Sequence, residues 1–457
     1  MSEQKKSLQK NDTIELEITG FSSEGSGVGH YNGQAVFVAG AAEGDTVECV
    51  IIKAKKNYAI GKILNILKAS KDRIIPECGV FPRCGGCQYR HINYEAEKKL
   101  KHQKVTDALN RIGHIEITPE EIVGADEPDR YRNKAQYPVS MVNGRLMTGF
   151  YAPFSHRVID CKNCLLQPEE FGTILRAVAK WSEKYKIPSY DETSGRGLLR
   201  HIYIRKGFET NEVMVCLVIN GEKIFKANEL ISALTKADGN IKTVLLNHNT
   251  EDTNVILGEK CTVLYGDGYI EDILCGKHFR ISPLSFYQVN HDQAQKLYEK
   301  AAEFAITENT KTLVDLYCGA GTIGLTMADK VEKLIGVEIV PEAIEDAKIN
   351  AKLNNTTNAR FICADAAKAA LQIKEKGIKP DTVILDPPRK GCDDSLIATV
   401  CEMAPERIVY VSCDPATLAR DCQKLTEKGY ELIKAVPYDL FPRTVHVESV
   451  VLLSKVQ

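Results

Sequence analysis

Strands and helices alternate along the C-terminal part of this 457-residue chain, and this regularity restricts the possible fold more than any other feature. Five short apolar runs each precede a stretch of helical pattern; they are TLVDL, LIGVE, RFICA, TVILD and IVYVS. Strands joined through helices can lie parallel in one sheet, because each helix returns the chain to the side on which the previous strand began, and such crossovers are right-handed. The pattern therefore predicts a largely parallel α/β sheet, whose ligands bind at the carboxyl ends of the strands.

Glycines and carboxylates follow these strands where a ligand would lie. The loop DLYCGAGTIGL contains Gly319 and Gly321, which allow close approach to a ligand, but such a loop alone also fits a dinucleotide. Glu338 ends the second strand and suits a ribose diol, and Asp365 follows the third strand and suits the exocyclic amine of adenine. Together with Asp386 of the DPP sequence, they favour S-adenosylmethionine over a nicotinamide cofactor.

Two residues near the C-terminus fit methylation of carbon 5 of uracil. This carbon is a poor nucleophile, so a thiolate must first attack carbon 6, and a base must later remove the proton on carbon 5. Cys413 follows the fifth strand and is predicted to share an edge of the sheet with Asp386. Glu448 lies near the start of VESVVLL, predicted to be an antiparallel last strand that starts at that edge. A structural cysteine and a solvated glutamate are the alternatives.

Other methyl acceptors fit the DPP region less well. Amino-group methyltransferases commonly place an aromatic residue after this proline pair, where this chain has Arg389. Cytosine-5 RNA enzymes carry a cysteine near the prolines. In this chain the sequence PPRKG contains none, and the next cysteine is Cys392. Both alternatives are therefore disfavoured relative to uracil.

Three cysteines lie within ten residues in ECGVFPRCGGCQY, namely Cys78, Cys84 and Cys87. This C-x5-C-x2-C spacing favours a metal site over chance burial, and CKNCLLQ offers Cys161 or Cys164 as a fourth ligand. Four thiolates fit either an iron-sulfur cluster or structural zinc, which spacing alone does not separate.

The N-terminal region has short alternating runs separated by glycine-rich turns, which predicts a small β-barrel. Its sequence GSGVGHYNGQAVFVAGAAEGDTVE resembles the TRAM domain, an OB-like RNA-binding barrel. The net charge of -2 excludes a uniformly basic nucleic-acid binder but leaves basic patches such as KAKKNYAIGK. Further along, alternation in GLLRHIYIRKG places His201, Tyr203 and Arg205 on one face of a sheet. Such a face is suited to stacking on single-stranded RNA, and the alternative is an ordinary exposed sheet face.

Several motifs in this order resemble the RNA (uracil-5-)-methyltransferase family: SPLSFYQVN, DLYCGAGTIGL, DPPRKG, SCDP and HVES. The resemblance implies that Cys413 is the nucleophile and Glu448 the base. It implies cofactor contacts by Gln288, Tyr317, Glu338, Asp386 and Asp365, and by Gly319 and Gly321, which share the glycine loop with Tyr317. It implies substrate contacts by Phe286 and Arg132. The iron-sulfur ligands of the family fall on Cys78, Cys84, Cys87 and Cys164.

The resemblance also implies a multidomain α/β organisation. We expect a TRAM barrel over residues 8–68, a mostly β central domain with the cysteine cluster over 69–285, and a Rossmann-like catalytic domain over 286–457. A helix near 98–124 is expected to pack on the catalytic domain.

The resemblance implies 23S rRNA as substrate, because family members that act on tRNA typically lack both the barrel and the cluster. The alternatives are tRNA and a non-catalytic RNA-binding or assembly factor that holds S-adenosylmethionine. The target uridine is not identified by the sequence. With no apolar leader pattern and no apolar run of about 18 residues, we expect a cytoplasmic protein without a membrane partner, and no obligate protein partner is evident.

Overall fold

The structure is a computed structural model that describes residues 7–456. Residues 1–6 and residue 457 lie outside the described residues. The first range belongs to the N-terminal stretch without an apolar leader pattern, and residue 457 is the last of the predicted catalytic domain. The chain divides into two compact units. The first comprises residues 7–101, 150–159 and 441–445, and the second comprises residues 102–149, 160–440 and 446–456. Within the described range, no helix combines the length and apolar character needed to cross a bilayer.

The first unit contains a closed five-stranded barrel, in the spatial order β1-β2-β3-β5-β4. The strands are β1 (Thr13–Phe21), β2 (Gly27–Tyr31), β3 (Gln34–Val38), β4 (Thr46–Ala54) and β5 (Tyr58–Lys68). Alternate residues of β1, namely Ile14, Leu16 and Ile18, are buried in the barrel core. Gly29 is required on β2, because a Cβ there would lie 2.3 Å from the carbonyl oxygen of Glu17 on β1. The predicted barrel is confirmed.

The barrel is followed by the segment that carries the three clustered cysteines and then by α1 (Tyr94–Arg111). A small core of the first unit joins Ala42 of the barrel to Tyr89, Ile92 and Val445. The ring of Phe21 packs edge-on against Tyr89 at 5.6 Å between centroids. Apolar contacts therefore tie the barrel to the segment before α1.

The next elements alternate strands with two helices. They are β6 (Lys134–Val142), β7 (Arg145–Tyr151), β8 (Val158–Asp160), α2 (Glu169–Lys184), β9 (Leu199–Lys206), β10 (Val213–Ile219), α3 (Ala227–Ala237), β11 (Ile241–His248) and β12 (Lys260–Tyr265). A mixed sheet of the second unit contains β12-β11-β10-β9-β6-β7 in that order. Strand β9 is therefore interior, with β10 and β6 paired antiparallel on its two sides.

The sheet face that carries His201, Tyr203 and Arg205 is not a surface for RNA. All three side chains are buried, with at most 7% of their surface exposed. The guanidinium group of Arg205 donates to the carbonyl oxygens of Ser285 and Tyr287, so another part of the chain covers it. The prediction of an exposed stacking face, whether for RNA or simply solvated, is therefore wrong.

The C-terminal region starts with the hairpin β13 (Ile270–Leu274) and β14 (Lys277–Ile281), followed by α4 (His291–Ala305). The remaining elements are β15 (Thr312–Asp315), α5 (Thr322–Met327), a short 3-10 helix (Ala328–Lys330), β16 (Lys333–Glu338), α6 (Pro341–Leu353), β17 (Ala359–Cys363), α7 (Ala366–Glu375), β18 (Thr382–Leu385), α8 (Asp394–Met403), β19 (Arg407–Ser412), α9 (Pro415–Thr426), β20 (Tyr430–Tyr438) and β21 (Glu448–Lys455).

These strands form one seven-stranded sheet in the order β17-β16-β15-β18-β19-β21-β20. The pairings from β17 to β19 are parallel, whereas β21 is antiparallel to both of its neighbours. The largely parallel sheet and the antiparallel closing pair are therefore confirmed. The carboxyl ends of β15 to β19 and the start of β21 lie at the same edge.

The C-terminal part of α1 belongs to the core of this sheet. Val105, Ala108 and Leu109 are buried in the same apolar cluster as residues of β15, β16, β18 and β19. Further on, the amides of Glu120 and Val123 donate to carbonyl oxygens of β20, at 2.8 and 2.9 Å. Residues 102–123 therefore pack with the C-terminal sheet, whereas the predicted boundaries at 68 and 285 stay predictions.

Candidate active site

Two carboxyl groups lie where the central strands of the sheet end. Asp315, the last residue of β15, is fully buried, and burial together with Glu338 raises the pKa of its carboxyl to about 7. Asp386 directly follows β18, and burial together with Asp315 raises the pKa of its carboxyl to about 7. This edge therefore holds two carboxyl groups that would gain from hydrogen-bond donors supplied by a ligand.

The glycine loop between β15 and α5 is tied to the end of β16. Gly319 and Gly321 have φ values of +53° and +82°, in the left-handed region that favours glycine. The amide of Gly319 donates to Oε2 of Glu338 at 3.2 Å, and the amides of Ile339 and Val340 donate to Oε1 at 2.8 and 2.9 Å. The carboxylate of Glu338 is thus fixed beside the loop.

The surroundings of Glu338 fit a nucleoside. A Cβ added at Gly319 would have no other atom within 4 Å, so the loop is open there to a ligand. Tyr317, in the same loop, is half-buried, and burial is the main cause that raises the pKa of its hydroxyl. Asp365 directly precedes α7, and its Oδ1 accepts from the amides of Ala367 and Lys368 in the first turn. Asp365 is thus a helix cap, and its predicted contact with adenine stays a prediction.

Cys413 and Glu448 are brought together by the pairing of β19 with β21. Ser412, the last residue of β19, is paired with Ser449, so Cys413 and Glu448 occupy the next opposed positions. The side chain of Glu448 is 4% exposed, whereas Cys413 is half-buried and reachable from solvent. The structure therefore gathers Asp386, Cys413 and Glu448 at one place, as predicted for this edge.

Burial makes both groups weaker acids. It raises the pKa of the Cys413 thiol to about 11, with Glu448 as the next contributor, and raises the pKa of the Glu448 carboxyl to about 8, with Asp386 next. The guanidinium group of Arg389 opposes this and lowers both pKa values. No role was predicted for Arg389 from the sequence, although its place directly after the DPP sequence was a signal that could have found it.

The segment Ser282–Asn290, here called the 282–290 loop, carries Phe286 and Gln288. Phe286 is 60% exposed, whereas Gln288 is buried and its carbonyl oxygen accepts from Nδ2 of Asn133 at 2.8 Å. The hydroxyl of Ser285 donates to Oδ2 of Asp346 at 2.6 Å. The loop is therefore held from several sides while the ring of Phe286 remains available for a ligand.

Arg132 lies beside the end of the same loop. It forms a β-bridge with Asn290, and its amide donates to the carbonyl oxygen of Leu166 at 2.9 Å. The two residues predicted to contact substrate, Arg132 and Phe286, thus belong to neighbouring segments of the second unit.

The predicted metal ligands are not gathered in the same way. Cys78, Cys84, Cys87 and Cys164 are all half-buried and none is part of a disulfide, and the amide of Gly86 lies 3.4 Å from the sulfur of Cys84. Among residues 7–456, no group of three or more His, Cys, Asp or Glu side chains is arranged to hold a metal ion. The residues as placed do not show the fit that a cluster requires, and the iron-sulfur site stays a prediction.

The seven-stranded sheet, the glycine loop after its first strand and the acids after its next strands together define a class. They are the fold and the nucleoside site of an S-adenosylmethionine-dependent methyltransferase.

Comparison with known proteins identifies the family. Residues 258–456 match the tRNA (uracil-5-)-methyltransferase family, and residues 8–64 match the TRAM domain. An uncharacterised RNA methyltransferase of Clostridium tetani is 45% identical over 447 residues, which is 98% of this chain and 97% of that protein. One of Halalkalibacterium halodurans is 44% identical over 454 residues, 99% of each chain. This chain belongs to the RNA methyltransferases of the uracil-5 family and carries a TRAM domain.

A solved structure shows the same architecture. The tRNA (uracil-54, C5)-methyltransferase of Pyrococcus abyssi, in complex with S-adenosyl-L-homocysteine, is 25% identical, with a TM-score of 0.79. The likeness covers 96% of this chain and all of that one.

Proposed function

We propose that this protein methylates carbon 5 of uridine in 23S rRNA through a covalent adduct between Cys413 and carbon 6. The observation that carries the proposal is the opposition of Cys413 and Glu448 across β19 and β21, beside Asp386. The reaction needs one thiolate and one base at the same carbon-carbon bond, and these two groups supply them. The site belongs to an enzyme that acts on RNA, so the cytoplasmic location predicted above is part of the proposal.

The chain's own residues account for the proton and bond changes. The Cys413 thiolate attacks carbon 6, and the electron pair of the carbon 5–carbon 6 bond moves to form an enolate. When bound, S-adenosylmethionine would supply the methyl group that carbon 5 takes, and S-adenosylhomocysteine would leave with the electron pair of the broken carbon-sulfur bond. Glu448 then removes the proton from carbon 5, the double bond re-forms, and the thiolate leaves carbon 6. A base with a pKa of about 8 suits this transfer near neutral pH.

Ligand binding is assigned to the residues around this pair. In the proposal, Glu338 holds the ribose diol and Asp365 the adenine amine. The other cofactor contacts are Gln288, Tyr317, Gly319, Gly321 and Asp386. Phe286 stacks on the target base and Arg132 contacts the RNA. The open face at Gly319 and the exposed ring of Phe286 support these assignments.

The choice of 23S rRNA rests on the combination of TRAM barrel and clustered cysteines. The second candidate is tRNA, favoured by the likeness to the Pyrococcus abyssi enzyme, whose name states a tRNA uracil substrate. A non-catalytic factor that only binds S-adenosylmethionine and RNA is disfavoured, because it would need neither Cys413 nor Glu448.

A [4Fe-4S] cluster on Cys78, Cys84, Cys87 and Cys164 is part of the proposal. Its support is the spacing of the cysteines and the resemblance to the family. The described residues show no assembled metal site. Protein purified without oxygen should be brown and should contain about four iron atoms per chain. Colourless protein with stoichiometric zinc would refute the cluster.

The deciding experiment is transfer of labelled methyl to unmodified 23S rRNA and to unmodified tRNA, followed by mapping of 5-methyluridine. We expect label in 23S rRNA only; label in tRNA only would overturn the choice of substrate but not the chemistry.

Cys413→Ala should abolish methylation, whereas Cys401→Ser, on α8, should not. Glu448→Gln should slow turnover about 10²- to 10⁴-fold and leave a methylated RNA-protein adduct. Methylation by Cys413→Ala would refute the mechanism.

A further inference from the structure

Lys134, the first residue of β6, lies in a group of three cations. It is paired with Arg205 of β9, so the two side chains lie next to each other on the same sheet face. The charges that act on the Lys134 ammonium are those of Arg205 and Arg132, and no carboxylate of residues 7–456 is among them. The chain thus surrounds this lysine with charge of its own sign.

Arg205 already has partners, and two of them are carbonyl oxygens of the 282–290 loop. Its Nη1 donates to the carbonyl oxygen of Ser285 at 2.8 Å and to the hydroxyl of Tyr203 at 3.2 Å. Its Nη2 donates to the carbonyl oxygen of Tyr287 at 3.2 Å. Ser285 and Tyr287 flank Phe286, so Arg205 holds the loop on both sides of that ring through uncharged carbonyl oxygens.

The segment before β6 runs along the end of the same loop. Arg132 forms its bridge with Asn290, and the amide of Asn133 donates to the carbonyl oxygen of Val289 at 2.8 Å. Lys134 therefore directly follows two residues that are joined to the end of the loop, and it is paired with the Arg205 that holds the loop beside Phe286.

The protonation state of Lys134 reflects these surroundings. Burial, Arg205 and Arg132, in that order, lower the pKa of its ammonium to about 8. A half-buried charge without a counter-ion is costly, and proteins normally pair such a group. An anion that comes from outside the chain would remove this cost.

We propose that Lys134, together with Arg132, binds the phosphodiester group next to the target uridine of the RNA substrate. The proposal rests on the proposed function, which places the uridine on Phe286. A phosphate of the substrate backbone accompanies every uridine in RNA and supplies the missing negative charge. Arg205 is then a positioning residue, which holds the loop and repels the free Lys134 ammonium.

The test is the pH dependence of RNA binding, with Cys413→Ala as background so that no adduct forms. The probe is the unmodified RNA, 23S rRNA or tRNA, that the wild-type protein methylates. Only the protonated lysine binds phosphate well, so RNA affinity should fall as the pH rises through 8. Lys134→Arg, which remains charged, should abolish this fall. Lys134→Met should weaken binding at pH 7 about tenfold and lower the salt slope by about 0.7.

Two controls separate this effect from damage to the fold or to the cofactor site. Lys379→Met removes an exposed charge just before β18, at the opposite edge of the sheet, and should leave RNA binding unchanged. The affinity of Lys134→Met for S-adenosylmethionine should equal that of the background protein. A drop in that affinity would overturn the proposal and assign Lys134 to the carboxylate of the cofactor.

Failure of this inference is distinguishable from failure of the proposed function. RNA affinity that does not change between pH 7 and 9, or equal binding by Lys134→Met, would refute the phosphate contact while methylation by the wild type persists. A wild-type protein that forms no 5-methyluridine in either RNA would refute the proposed function and, with it, this inference.

Discussion

Cys413 and Glu448 have the same two kinds of neighbour, and these act on their acidity in opposite directions. Burial and nearby carboxyl groups raise the pKa of both residues, whereas the guanidinium group of Arg389 lowers both. The proposed reaction requires both groups in their anionic form at the moment they act. Arg389 therefore favours the reactive state of the thiol and of the base together.

We predict that Arg389→Met shifts the pH-rate profile to higher pH. Loss of the cation raises the pKa of Cys413 and of Glu448, so a higher pH is needed to ionise them, by about one unit. Arg389→Lys keeps a charge at this position and should retain most of the wild-type profile. The measurement is kcat/KM for methyl transfer from pH 6 to 10. Profiles that coincide for Arg389→Met and the wild type would contradict this electrostatic role.

The buried carboxyl of Glu448 also predicts a pH-dependent cost to stability. In the unfolded chain Glu448 ionises above its ordinary pKa of 4.5, but in the folded chain only above about 8. Between these values the folded state binds more protons, so stability falls as the pH rises, with a cost of roughly 3 kcal/mol at pH 7. Glu448→Gln cannot ionise and removes this cost.

Thermal unfolding of the two proteins at pH 5 and pH 8 measures this effect. The melting temperature of Glu448→Gln should exceed that of the wild type by more at pH 8 than at pH 5. A constant difference would show that Glu448 is already ionised in the folded protein.

At the scale of elements, the catalytic sheet depends on a segment that precedes it by some two hundred residues. The last turns of α1 are buried in the apolar cluster that also contains residues of β15, β16, β18 and β19, and residues 120–123 add hydrogen bonds at the edge formed by β20. This segment therefore contributes to the core on one face of the sheet and is hydrogen-bonded to its edge strand, β20.

We predict that Leu109→Ala destabilises the second unit. Leu109 is fully buried in the core of the sheet, so its loss leaves a cavity and should lower the free energy of unfolding by about 2–5 kcal/mol. Glu116→Ala, an exposed position shortly after the same helix, should change it by less than about 0.5 kcal/mol. Denaturant unfolding of both variants makes the comparison. Equal stabilities would mean that α1 adds nothing to this core.

At the scale of the whole molecule, the net charge of -2 conceals local basic surface. The hairpin between β4 and β5 carries Lys53, Lys55 and Lys56, all of them exposed. For a protein that belongs to the RNA methyltransferases, phosphate contacts at such exposed lysines add affinity without sequence preference.

We predict that reversing two of these charges, in Lys55→Glu with Lys56→Glu, weakens RNA binding and lowers its salt dependence. The affinity for S-adenosylmethionine should not change. The matched variant combines Lys376→Glu with Lys379→Glu, exposed lysines of the catalytic region, and should bind RNA like the wild type. Filter binding at two salt concentrations tests both. Equal losses in the two variants would indicate a general charge effect and not a surface on the barrel.

The local patterns of the sequence were sufficient for the architecture. Alternation of strand and helix, the spacing of glycines and the direction of the last strand depend on neighbouring residues, so they predicted the barrel, the sheet and the edge shared by Cys413, Asp386 and Glu448. The motifs in these positions also identified the family that the comparisons confirm.

Burial and charge at single residues were decided only by the tertiary structure. Period-two alternation put His201, Tyr203 and Arg205 on one face, but all three are buried, and the 282–290 loop, far along the chain, covers Arg205. The neighbours of Lys134 and the cation beside Cys413 likewise come from distant segments. A pKa depends on which charges and which apolar atoms surround a group. Many of these neighbours come from distant parts of the chain, and the local periodicity from which sequence predictions are made does not depend on them.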